Sequence, residues 1–192
     1  MHAYLSHPDV EVDPHRPVPL WRLSKAGRAR VESFARASDR SFSCIFSSDE
    51  TKAVETAAIL AAAWHLPLHI NAAMHENDRS ATGYFPSDAF ESAANAFFAQ
   101  PDDSYLGWET ARAAQARILA EVSRAISQTA HPDILFVGHG GVGTLLYCHL
   151  AGRAISRLQN LGHPKGGNLF DWRSGQAPEG YWRAMEDASA AL

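Results

Sequence analysis

Short apolar runs alternate along the chain with longer stretches in which apolar residues recur every three to four positions. The first run, Tyr4 to His7, reads as a strand. Pro8, Pro14, Pro17 and Pro19 then keep the backbone irregular to about residue 22. Ser24 is a good N-cap for an amphipathic helix from Lys25 to Ala37. Ser43 to Phe46 reads as a buried strand, and Ser48 or Asp49 caps a helix from Glu50 to Trp64, closed off by Pro67. Leu68 to Ile70 is a third strand. A helix from Ser87 to Ala99 ends at Pro101, and a long one runs from Trp108 to Ser127. Ile134 to Val137 is the clearest strand, and the turn at Gly138 to Gly141 leads into a helix reaching Leu150. Asn168 to Trp172 is a late strand, and the last ten residues are expected to fray.

Strands alternating with helices of this length predict an α/β fold: a three-layer α/β/α sandwich with a mostly parallel sheet. The 192 residues suit a single domain over 1–192, with a helical cap insertion at about 80–107. Composition adds exclusions. With 46% hydrophobic and 20% charged residues the chain is an ordinary globular one. It has no apolar run long enough for a membrane span, and no basic-then-apolar leader. A net charge of −4 argues against a nucleic-acid partner. Cys44 and Cys148 are the only cysteines and are read as reduced, in a cytoplasmic setting. No nucleic-acid partner and no membrane partner is expected; a homodimer is left open.

In parallel sheets, ligands gather at the carboxyl ends of the strands. Polar residues stand at such exits in Ser6-His7-Pro8, Ser47-Ser48-Asp49 and Gly138-His139-Gly140. An unprotonated His7 there serves as nucleophile, general base or metal ligand, unless it is a plain loop histidine. In Val137 to Thr144, a strand, a glycine turn and a helix N-terminus favour an anion. The stretch mimics a phosphate-binding P-loop but lacks its Lys, which excludes that reading. Lys52 falls in the first turn of a helix, where a cation opposes the dipole. It either faces an anion or pairs with nearby carboxylates. Glu76, within His75-Glu76-Asn77-Asp78-Arg79, is a candidate general acid if neighbours raise its pKa; on its own the cluster reads as a polar loop.

Together these segments resemble the histidine phosphatase superfamily, also called phosphoglycerate mutase-like. Its pattern runs R-H-G, a Leu-Thr-x-x-Gly helix start, S-S-x-x-x-R-A-x-E-T, L-x-E and S-H-G-G. This chain has Ser6-His7-Pro8, Leu23 to Gly27, Ser47 to Thr56, Met74-His75-Glu76 and Gly138 to Gly141, spanning about residues 3 to 172. The resemblance implies a phosphatase whose partner is a small phosphorylated molecule or phosphate, in which His7 attacks phosphorus and carries a phosphohistidine. Glu76 would protonate the leaving oxygen and later help activate water. His139 and the turn amides at Gly140 would hold the phosphoryl oxygens. No cofactor and no metal is implied, because cationic side chains stabilise the charge.

The chain departs from that pattern at Ser6 and Lys52, which stand where the family has arginines, and at Pro8, which replaces a glycine. Losing one preorganised donor typically lowers a rate by roughly 10²–10³. Ser6 and Lys52 are expected to line the phosphate pocket, with Arg16, Arg22 or Arg79 compensating and Arg22 favoured. Two alternatives to a phosphatase follow: a pseudophosphatase that binds a phosphate-bearing ligand without turnover, and a non-catalytic interaction module. Phe85, Phe90, Phe97, Phe98, Tyr105 and Trp108 are read as core and lid packing, with a partner surface as the alternative. A mutase is disfavoured by the chain's shortness.

Overall fold

The computed structural model describes residues 1–129, 133–159 and 162–188. Six strands form one sheet: β1 (His2–Ser6), β2 (Cys44–Ser48), β3 (Leu68–Asn71), β4 (Ile134–Gly138), β5 (Asn168–Trp172) and β6 (Arg183–Ala184), ordered β3-β2-β4-β1-β5-β6. β1 to β4 run parallel, and β5 and β6 extend the sheet antiparallel beyond β1.

Alternation along the strands sorts the core into two layers. Tyr4, Cys44, Phe136 and Phe170 face α3 (Ser87–Ala99), α4 (Ala111–Gln128) and α5 (Gly140–Leu150). Leu5, Ile45, Leu135, Val137 and Leu169 face α1 (Lys25–Ala37) and α2 (Thr51–Trp64). The three-layer sandwich is thus encoded by neighbours in sequence that point to opposite sides.

Local chemistry sets the element ends. The Ser24 hydroxyl accepts the Gly27 N–H at 2.9 Å and caps α1 as expected. α4 starts at Ala111, later than the expected Trp108, because the Thr110 hydroxyl caps it by accepting the Ala113 N–H. Trp108 is instead buried among the aromatics of the cap. α2 begins at Thr51 with Glu50 in the cap position, while the Ser48 hydroxyl accepts the Glu50 N–H at 3.2 Å. Phe97, Phe98 and Trp108 are buried, and Phe85, Phe90 and Tyr105 pack against the same core cluster. Residues 183–188 do not fray: β6 pairs with β5, and Met185 and Ala188 are buried against the α1 side. The rest of the expected frayed end lies outside the described residues. Cys44 and Cys148 are free and buried.

Candidate active site

The site follows from register. β1 and β4 are parallel partners with Ser6 opposite Gly138, so the next residue out of each strand is a histidine, His7 and His139. The His7 N–H extends the ladder to the Gly138 carbonyl at 2.8 Å. The two rings meet edge to face, with centroids 5.3 Å apart.

Each ring has a defined face to offer. His7 Nδ1 lies 2.8 Å from the Pro8 carbonyl, which can only accept, so the ring proton sits on Nδ1. Nε2 is left with its lone pair and no hydrogen-bond partner among the described residues. Burial, and then the Lys52 charge, lower the His7 pKa from 6.5 to about 4, so the ring is neutral at pH 7. His139 is fully buried, and burial holds its pKa well below the usual imidazole value. Its Nε2 lies 2.9 Å from the Ser48 hydroxyl. That hydroxyl also accepts the Glu50 N–H at 3.2 Å, and the Glu50 carboxylate lies 3.6 Å from Nε2. Nδ1 is buried and has no partner among the described residues.

Glu50 joins these parts. It is buried, accepts the Glu76 N–H at 2.9 Å and pairs with Lys52. Burial alone would raise its pKa; the charge and hydrogen bond of Lys52 and the Glu76 N–H act against that, and the carboxyl is held at about 2. Lys52 also donates to the Val18 carbonyl at 3.0 Å. The Glu76 carboxylate sits on the first turn of α5, accepting the Gly141 N–H at 3.1 Å and the Val142 N–H at 2.9 Å. The turn amides expected to meet phosphoryl oxygens therefore fix Glu76 beside the histidines, while Gly140 lines the cavity ahead of them.

The cavity above the histidines measures about 360 Å³. Ser6, His7, Lys52, Glu76, Arg79, His139 and Gly140 all line it, gathered from separate stretches of chain. Arg79 stacks over the Phe90 ring at 4.8 Å and beside Trp108 at 6.0 Å. It has no ion pair among the described residues. Aromatic walls thus carry a guanidinium whose hydrogen-bond donors remain available.

The model of the histidine phosphatase superfamily (branch 1) matches residues 16–176. The chain belongs to that superfamily. No curated protein matches it. Among solved structures, the α-ribazole phosphatase of Shigella flexneri is 18% identical, with a TM-score of 0.70 over 96% of each chain. A mycobacterial glucosyl-3-phosphoglycerate phosphatase solved with inorganic phosphate is 20% identical, with a TM-score of 0.70 over 92% of this chain and 93% of that one. YhfR of Bacillus stearothermophilus is 16% identical, with a TM-score of 0.71 over 93% and 95%. At these identities the likeness is one of fold.

As a histidine phosphatase superfamily member the chain is divergent at its first motif, and the matched stretch begins downstream of His7. Ser6 lines the cavity, but its hydroxyl is committed to the β1–β5 junction: it accepts the Asn168 N–H at 3.1 Å and donates to the Asn168 carbonyl at 3.3 Å. Arg22 does not enter the pocket, contrary to expectation. Its Nε pairs with Glu55 at 2.8 Å on the surface, because the same carboxylate also takes the Leu23 N–H. Arg16 lies near Asp13 and is likewise outside the lining. Of the three expected arginines, Arg79 is the one that lines the cavity with the histidines.

Two cavity residues escaped the sequence reading, Arg157 and His163. Arg157 reaches α3 through Glu91 at 2.7 Å and the Asn95 side chain at 2.7 Å, tying the cap to the far wall. His163 is framed by Asn168, whose side chain accepts its N–H at 2.7 Å and donates to its carbonyl at 2.9 Å. The dense run Gly162-His163-Pro164-Lys165-Gly166-Gly167 just before a strand was a usable signal.

Proposed function

We propose that the protein hydrolyses a small phosphomonoester through a phosphohistidine on His7. The observation that carries this is the neutral His7 ring with Nδ1–H held by the Pro8 carbonyl and Nε2 free at the floor of a cationic cavity. Nε2 attacks phosphorus while the bond to the leaving oxygen breaks, and Glu76 gives that oxygen a proton. A water then attacks the phosphohistidine, Glu76 takes a proton back, and phosphate and the neutral imidazole are restored. Arg79 and the His139 ring line the cavity where the phosphoryl oxygens would lie, and Lys52 adds positive charge. Phosphoryl transfer needs mostly positioning and charge stabilisation, which these groups supply. The fold neighbours include phosphatases, one of them solved with inorganic phosphate, which supports the same chemistry.

The test is turnover of para-nitrophenyl phosphate by the wild type and His7→Ala. We expect a loss of at least ~10³-fold, together with an acid-labile phosphoenzyme in the wild type alone. Equal rates would remove His7 as nucleophile. A second reading, a binder without turnover, is favoured by the engagement of Lys52 with Glu50 and of Ser6 with Asn168. Phosphate binding by a protein with no turnover would establish it.

A further inference from the structure

A second cavity, of about 650 Å³, opens on the other side of Glu76. The two share Val18, Glu76, Asn77 and Arg79, so they adjoin at these four residues, the pinch between them. Their charge balance differs. The histidine side carries Lys52, Arg79 and Arg157, with Glu76 its only lining carboxylate among the described residues. The far side is walled by Pro17, Val18, Pro19 and Ala72, and Asp49, Glu50 and Asp78 line it alongside the shared Arg79.

These carboxylates differ in how they are engaged. Glu50 is already paired with Lys52, and Asp78 accepts the Ser80 N–H at 2.8 Å. Asp49 has no hydrogen bond or ion pair among the described residues, and it is exposed. The Asn77 side chain, at the pinch, has a buried Nδ2 with no partner among the described residues. Donors at the pinch and negative charge beyond it meet a ligand that carries oxygen at one end and no anion at the other.

We infer that this proline-walled cavity seats the leaving group, and that the substrate class is a phosphomonoester of an uncharged or amine-bearing alcohol with an apolar body. The inference rests on the reaction proposed above, in which Glu76 protonates the leaving oxygen. Whatever is bonded to that oxygen must lie against Glu76, and this cavity is lined by it. The smaller aromatic hollow by Val12, Trp21 and Tyr84 also reaches Arg79 but is not lined by Glu76. A second phosphate or a carboxylate on the alcohol would face Asp49 and Asp78 and be repelled, so bisphosphates and phosphorylated acids are excluded from the class.

The probes are two phosphonates alike at the phosphorus end, para-aminomethylbenzylphosphonate and para-carboxybenzylphosphonate, whose binding is measured by calorimetry. They cannot be hydrolysed, so binding is read apart from catalysis. The amine should bind roughly tenfold more tightly, a preference that shrinks at high salt. Asp49→Lys should abolish or reverse it; Asp78→Asn, a milder change, should reduce it. Equal affinities, tighter binding of the carboxylate, or no binding of either overturns the inference. An amine preference without aryl phosphate turnover leaves the subsite standing and removes the reaction. Turnover without the preference does the reverse.

Discussion

A histidine that attacks phosphorus must be neutral and must present one nitrogen with its lone pair free. His7 meets both conditions through contacts made by its own neighbour: the Pro8 carbonyl fixes the Nδ1–H tautomer, and burial depresses the pKa to about 4. Pro8 replaces a family glycine, yet the acceptor needed here is a carbonyl, which proline keeps; only its N–H is lost. Imidazole nitrogen NMR across an acid titration checks this. The His7 ring should stay in the Nδ1–H form at pH 6 and protonate only near pH 4; a midpoint at the ordinary value of 6.5 would refute it. The same shift acts on folding. Between about 4 and 6.5 the unfolded chain binds the proton that folded His7 refuses. On this group's account stability therefore falls as pH drops through that window and is level above it.

At the scale of elements, the pairing of β1 with β4 brings the two histidines together, and Tyr4 locks that pairing. Its buried hydroxyl accepts the His139 N–H at 3.0 Å and donates to the His139 carbonyl at 3.2 Å. Burial pushes the Tyr4 phenol well above its usual pKa, so it stays a donor throughout the working range. Tyr4→Phe strands a buried N–H and should cost about 1–3 kcal/mol, read as a lowered melting temperature, with a loss of kcat/KM as His139 loosens. An unchanged melting temperature would show that the bridge contributes nothing. The paired strands and their helices were legible in sequence because apolar periodicity reports burial locally. His7, Glu76 and His139 were singled out together only by the family motifs they match, since each alone also reads as an ordinary loop or turn residue. The partner of an arginine was not legible. Arg22 and Arg79 look alike in sequence, and only the tertiary position of Glu55 withdraws one while Phe90 and Trp108 present the other. The two-residue strand β6 was too short to show a period at all.

At the scale of the whole molecule, the site draws together segments far apart in the chain. At Ser6, where the family has an arginine, the segment from Gly162 to Asn168 packs against the end of β1. Gly166 bridges to Pro8, the Gly167 N–H donates to the His7 carbonyl at 3.1 Å, and the Asn168 backbone engages the Ser6 hydroxyl. This strap carries His163 to the cavity and clamps the residue that must attack. It depends on Gly166, which has φ +65, and where a Cβ would stand 2.4 Å from the His7 carbonyl oxygen. Gly175 is the matched control: its φ is +76, but a Cβ there meets nothing within 4 Å. Gly175→Ala should therefore cost only the left-handed backbone penalty, about 1–2 kcal/mol. Gly166→Ala should cost that and more, because the displaced backbone is the one holding His7, and aryl phosphate turnover should fall with it. Urea unfolding of the two variants separates the contributions. Equal midpoints, with turnover intact in Gly166→Ala, would mean that the strap rests on β1 without supporting it.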